Sequence, residues 1–171
     1  GVSSNTLALP AGDPTATSLE RMCTIANEIA REHHFAVVQL PANLFESGAM
    51  LTHNNVGGTR TVLEFAREHD LPVLVNRPLN AFYRQQLIRL ADTPVQEWTR
   101  QIHTHVDSFL PPAYRSESLS RKALAVLVNT SGVTCVLNGM RRRTYVDDSL
   151  GAMRGPAFIV DPHLYKAFGH V

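Results

Sequence analysis

Arg141, Arg142 and Arg143 stand side by side in the stretch VLNGMRRRTYVDDSL, where an apolar run ends and a helical pattern begins. Each positive charge beside a helix start is unfavourable by about 0.3–1 kcal/mol, because that end of the helix is already partly positive. An anion reverses the sign, since free backbone N–H groups and guanidinium forks both favour phosphate. The run therefore points to phosphate binding, with a solvated basic loop as the plain alternative. Thr144 reads as the helix cap and Asp147, three residues on, as part of a near capping box. Asp147 and Asp148 would also complement the dipole of the first turn. A second polar pair, Asn76-Arg77, closes another apolar run just before Pro78. An arginine there is costly unless it is paired or exposed. Gln39 lies inside a third apolar run, where it can meet a ligand or satisfy a neighbouring backbone group. Ser3, Ser4 and Asn5 carry the same two readings, polar contact or ordinary turn. His103 and His105 are two apart on a helical pattern and point to different faces, which argues against metal ligation. His33-His34 reads as the end of a helix, where protonated imidazole suits the dipole. The sequence has no Ser/His/Asp arrangement, no metal-ligand spacing and no glycine-rich phosphate loop.

The chain that must position these groups has 171 residues, 44% hydrophobic and 18% charged, with a net charge of +1. That is ordinary globular composition, long enough for one sizeable core. So small a net charge gives no general case for a nucleic-acid or membrane partner. No apolar run is long enough to span a bilayer, and no basic-then-apolar leader is present. Cys23 and Cys135 are the only cysteines. Both fall in apolar patterns and read as small buried residues in a reducing, cytoplasmic setting. Met22, Met140 and Met153 read as core or wall residues. The chain opens on Gly1 without a methionine, and the expectation is that it begins inside something larger.

The order of elements is strand end, helix, strand, helix, strand, helices, strand, helix. GVSSNTL leaves a strand. Ser18 caps a helix with Leu19, Met22, Ile25, Ala26 and Ile29 at helical spacing. FAVVQLPANLF from Phe35 is a strand, ESGAMLTHNNVGG a loop, and TRTVLEFAREHD a helix with Thr59 as its cap. LPVLVNRPL from Leu71 is a strand, and a long polar-helical segment follows from about Ala81 to Pro111. SLSRKALAVLVNT is a helix starting near Ser118 or Ser120, GVTCVLNG a strand and TYVDDSLGAM the last helix. Alternating strands and helices predict an α/β fold with a parallel sheet. Polar residues gather where the strands end, at the edge where such sheets bind ligands.

Four pieces in this order resemble the C-terminal half of the aldo/keto reductases, (β/α)8 TIM barrels that use NADP(H). GVSSN resembles the end of the family's fifth strand, VVQLPANLFE the sixth, LPVLVNRPLNAF the seventh, and VTCVLNGMRRRTYVDDSLGAM the eighth with its helix. The resemblance implies about four βα units, strands 5 to 8 of the barrel. It covers residues 1–155, with an extended helical insert at about 81–117 and a tail at 156–171. It implies that Ser3, with Ser4 or Asn5, and Gln39 contact the nicotinamide carboxamide. Arg77, Leu79 and Asn80 would line the pyrophosphate path. Gly139, Met140, Arg141 and Arg142 would surround the adenosine phosphate. Asp148 would hold the adenine amino group, and Tyr145 falls where relatives often have Arg or Gln. Asn76 stands where many relatives place a Tyr that stacks on the nicotinamide, which removes a π face. The family's catalytic residues come from the first half of the barrel, so no catalytic residue is expected here.

The function expected from these readings is NADP(H) binding in an oxidoreductase that moves hydride to or from a small-molecule carbonyl. The missing N-terminal half of the barrel would supply the proton donor. A non-catalytic NADP(H) sensor of the same fold is the alternative, as is another phosphate-binding barrel.

Overall fold

The computed structural model describes residues 1–83, 86–91 and 97–168. Four short strands, β1 (Val2–Ser3), β2 (Val38–Pro41), β5 (Val73–Asn76) and β8 (Cys135–Val136), form one parallel sheet in that spatial order. Two antiparallel hairpins stand outside it: β3 (His53–Asn55) with β4 (Arg60–Thr61), and β6 (Asn80–Tyr83) with β7 (Gln86–Arg89). The helices are α1 (Leu19–Ile29), α2 (Gly48–Leu51), α3 (Val62–Glu68), α4 (Glu97–Phe109), α5 (Leu119–Asn129), α6 (Arg143–Arg154) and α7 (His163–Lys166). A parallel pair of strands needs a crossover, and α1, α3 and α5 lie on the connections between successive sheet strands.

Register fixes which residues share a face. Ser3, Gln39, Leu74 and Cys135 form one cross-strand row, and Pro41–Asn76 is the next row on the same side. The opposite face carries Val38, Leu40, Val73 and Val75, all fully buried with Val62, Phe65, Ala66 and Leu127 of α3 and α5. The Gln39 face is half-covered: Gln39, Leu74 and Asn76 are intermediate, while Ser3 and Cys135 are exposed. Short apolar parallel strands are ordinarily buried on both faces, and here only one face is. Cys135 is accordingly exposed instead of buried, and Cys23 is half-buried. Burial pushes the Cys23 thiol up.

A second core joins α4, α5, α6 and α7 around Tyr114, Leu119, Leu124, Val126, Leu164 and Tyr165. Tyr114 donates from its hydroxyl to the carbonyl of Pro156 at 3.1 Å, and its ring meets Phe158 edge-on at 5.6 Å. The segment after Gly155 is therefore docked: α7 buries Leu164 and Tyr165 completely or nearly so. The 81–117 segment also departs from the helical expectation, because it opens with the β6–β7 hairpin in which Ala81 pairs with Ile88. Only its later part, α4, is a long helix.

Local signals account for several boundaries. Ser18 and Ser118 cap α1 and α5, each accepting from the N–H three residues on at 3.1 Å. The cap of α3 is Thr61, not Thr59. Its hydroxyl accepts from the Glu64 N–H at 3.2 Å, and Glu64 Oε2 accepts from the Thr61 N–H at 2.9 Å, a full capping box. Thr59 instead donates to Val56 O within the preceding turn. The cap position of α6 is Arg142, two residues before the expected cap Thr144, and it makes no side-chain capping bond. Helix α1 stops at Ile29, so His33 and His34 lie beyond it, and His33 Nδ1 accepts from the Phe35 N–H. Gly132 has φ +90, and a Cβ there would crowd the Leu63 backbone, so the turn into β8 requires glycine.

Candidate functional site

Because the sheet strands are parallel, their C-terminal ends converge on one edge. That edge carries Ser3-Ser4-Asn5 after β1, Pro41 to Glu46 after β2, Asn76-Arg77 after β5 and Asn138 to Arg142 after β8. In the first cluster, Ser3 is exposed on the Gln39 row. Ser4 alternates away from it, with its hydroxyl 3.0 Å from Thr6 Oγ1 and 3.2 Å from Thr17 Oγ1. Its N–H donates to Gln39 O at 3.0 Å. Asn5 is exposed. Ser3 and Gln39 are thus the polar pair that the pleat holds together.

At the end of β5 the chain takes an unusual backbone. Arg77 has φ +53, the left-handed region that a non-glycine residue enters at some cost. Its Nη2 lies 2.9 Å from Glu46 Oε1. Glu46 is held in turn by Asn43, whose Nδ2 donates to Glu46 Oε2 at 2.6 Å and also lies within reach of the carbonyls of Arg77 (3.2 Å) and Asn80 (3.3 Å). Asn43 Oδ1 accepts from the Phe45 and Glu46 N–H groups at 3.0 and 2.8 Å. Asn43 is fully buried. It ties the loop after β2 to the turn after β5. Asn76 Oδ1 and Arg77 Nε are buried without a hydrogen-bond partner. Leu79 belongs to the second core, while Asn80 is exposed.

Beyond β8, Gly139, Met140, Arg141 and Arg142 are exposed in sequence. Met140 and Met153 are exposed at 54% and 73%, so they are neither core nor wall, and Met22 is half-buried against the sheet core. The Arg142 guanidinium stands over the Tyr145 ring, 5.6 Å from its centre. Arg143 Nε approaches Asp147 at 4.0 Å. Asn138 Nδ2 donates to Ser149 Oγ at 2.9 Å, fastening the strand end to α6. Asp148 turns toward α5: it accepts from Ser118 and Ser120 hydroxyls and lies 3.5 Å from Arg121 Nε. The structure thus gathers residues 139–145 at one helix start and directs Asp148 onto the start of α5.

Sequence reasoning passed over Asn43 and Glu46. The signal was present, since Asn followed by N–H groups two and three residues on is an Asx turn. His103, considered above only as a ligand, lies in a buried network elsewhere. Its Nδ1 is 3.1 Å from Lys122 Nζ, which also bonds Arg115 O at 2.8 Å and pairs with Asp107 at 2.7 Å. Burial, and then the Lys122 charge, hold the His103 imidazole below its ordinary value. No group of three or more metal-ligand side chains occurs among the described residues. No helix among them is long and apolar enough to cross a membrane. The strand ends supply hydroxyl, amide and guanidinium groups, a set suited to binding and orienting an anionic, amide-bearing ligand.

Among solved structures, the chain is similar to a thermostable aldo-keto reductase determined with the inhibitor epalrestat. The TM-score is 0.53 at 14% identity, over 86% of this chain and 43% of that one. The likeness is one of fold. The chain spans under half the length of that reductase. No family model matches the chain, and no curated protein matches it significantly.

Proposed function

We propose that this chain is the C-terminal, NADP(H)-binding half of an aldo/keto-reductase-like (β/α)8 barrel. The observation that carries the reading is the parallel sheet itself. Its strands run β1-β2-β5-β8 in chain order, their C-terminal ends are polar, and the Gln39 face is left half-covered. A similar fold in a reductase about twice as long supports it. The upstream half would cover that face and close the barrel.

The donor set fits the cofactor. Arg141 and Arg142, both exposed ahead of α6, suit the 2′-phosphate. Arg77 and Asn80 would line the pyrophosphate path. Ser3 and Gln39, with Ser4 or Asn5 beside them, suit the carboxamide, and Asn76, its Oδ1 unpartnered, would stand beside the nicotinamide where relatives place a stacking ring. When bound, NADP(H) supplies the hydride. This chain's residues hold and orient the cofactor, and a proton donor for a small-molecule carbonyl comes from the upstream half. Asp148, committed to Ser118 and Ser120, reaches an adenine only by giving up those bonds.

Titrating NADPH and NADH into the parent protein, with binding read by nicotinamide fluorescence, tests the reading. Tighter binding of NADPH supports it, and equal binding of the two or none overturns it. Asn76 in place of a stacking aromatic favours a second reading, a sensor that binds NADP(H) without turnover. Binding without carbonyl-dependent NADPH consumption across a panel of aldehydes and ketones would select the sensor.

A further inference from the structure

Glu46 and Arg77 form an ion pair at the candidate ligand edge, and its construction is asymmetric. Glu46 gives one oxygen to Arg77 Nη2 and the other to Asn43 Nδ2. Arg77 meets the carboxylate through Nη2, while its Nε is buried with no partner. Both side chains retain some solvent contact, 32% for Arg77 and 25% for Glu46. The same arginine holds a left-handed backbone, and the Asn43 amide reaches its carbonyl. A strained backbone and an orphan donor on one residue describe a resting arrangement that a better acceptor would improve. Glu46 does not serve as that acceptor in this geometry: Oε1 meets Nη2, and the Asn43 bond holds Oε2 turned away from Nε. A phosphate group presents more free oxygens and suits a guanidinium fork through two donors at once.

We infer that Glu46 is a built-in counter-ion for Arg77, which a ligand's phosphate displaces. The inference rests on the anionic-ligand reading of this edge and adds to it an internal competitor. In the resting chain the carboxylate neutralises Arg77 and keeps it near the strand end. On binding, Arg77 turns to the phosphate, and Glu46 stays on Asn43 facing solvent. The exchange lowers affinity relative to an unpaired arginine and penalises ligands too weakly charged to displace a carboxylate. Affinity is thereby traded for selectivity toward phosphorylated ligands.

The test uses the parent protein and three probes: inorganic phosphate, inorganic pyrophosphate and NADPH, each titrated by calorimetry. Glu46→Gln keeps the side chain's shape and its acceptor toward Asn43 but removes the charge. It should tighten pyrophosphate binding by about tenfold, the size of one charge-assisted hydrogen bond redirected. Glu68→Gln, which removes the remote partner of Arg60, should leave it unchanged. Thermal melting of both variants checks that the fold is retained, and Glu46→Ala replaces Glu46→Gln if that variant melts early. A merely structural Glu46 would give equal or weaker binding in the variant, and either result overturns the inference. Failure of every form to bind phosphate or pyrophosphate overturns it as well. If NADPH fails to bind while Glu46→Gln still tightens pyrophosphate, the exchange stands and the nicotinamide reading falls. If NADPH binds and Glu46→Gln changes nothing, the exchange alone falls.

Discussion

Single side chains at the sheet edge decide what kind of ligand it can hold. Arg141 and Arg142 are exposed, and Arg142 rests on the Tyr145 ring. Neither residue is buried in the core, so truncation there should cost binding without costing the fold. Replacing both with Ala in the parent protein should weaken NADPH by on the order of tenfold per arginine, the lower end for a charge-assisted hydrogen bond at an exposed site. NADH should hardly change, and fluorescence titration of the two cofactors reads the difference. Equal losses for both would show that the arginines do not meet a 2′-phosphate. Asn76 offers a complementary experiment. Its Oδ1 is buried without a partner, so Asn76→Tyr removes an unsatisfied acceptor as well as adding a ring. Nicotinamide binding should tighten by about 0.5–1.5 kcal/mol, the size of an aromatic pair. Weaker binding in the variant would mean that Asn76 Oδ1 finds its partner on the ligand.

Elements differ in how legible they are from the chain alone. The parallel order could be read because short apolar runs alternate with helical periods, and that pattern is local. The Thr61 cap was equally local: Thr61-Val62-Leu63-Glu64 is the capping-box spacing, and Thr59 two residues earlier obscured it. Thr61→Ala should destabilise the chain's fold by about 1 kcal/mol, measured by urea unfolding of the parent protein. The β6–β7 hairpin could not be read, because the arginines and glutamines of this stretch of sequence mimic a polar helix face and no Asn-Gly or Asp-Gly pair marks a turn. The Asn43–Glu46 turn is local, yet its hold on Arg77 exists only because β2 pairs with β5. Lys122 looked like an ordinary helix charge and is 1% exposed, since α4 closes over it with His103 and Asp107. Asp107→Ala should cost about 3 kcal/mol, because it strands a buried ammonium. His103 adds a pH dependence. Its pKa is held below the ordinary value of 6.5, so the unfolded chain takes the proton first as pH falls. Its contribution is intact above that value and is lost as pH drops from 6.5 toward the lower folded value. The protection factors of α4 amides, taken relative to intrinsic exchange at each pH, should fall over that window in the parent protein and stay flat in His103→Gln.

At the scale of the whole molecule, the surfaces left open form a pattern. The Gln39 face is half-covered, and the strands at its two edges, β1 and β8, each pair on one side. The helices that follow those edge strands also expose apolar side chains: Ile25 and Ile29 on α1, and Leu150 and Met153 on α6. Cys135 and Leu137 are exposed on or beside β8. One sheet face, two edges and two flanking helices are what a further set of βα units would cover in a closed barrel, whose interior is filled from strands all round. Exposed strand edges also invite pairing with another chain. If about 400 Å² of apolar surface stays uncovered, the chain forgoes on the order of 10 kcal/mol of burial. That is comparable to the whole net stability of a domain, roughly 5–15 kcal/mol. Residues 1–171 on their own should therefore dimerise, aggregate or unfold without a cooperative transition. They should also consume no NADPH with carbonyl substrates, since on the proposed reading the proton donor belongs to the upstream half. Size-exclusion chromatography, urea unfolding and an NADPH-consumption assay on this segment check both expectations, and co-expression with the upstream segment should restore a soluble, cooperatively unfolding species. A cooperative monomer would break the structural claim. Turnover by the isolated segment would break the catalytic one and place a proton donor within residues 1–171.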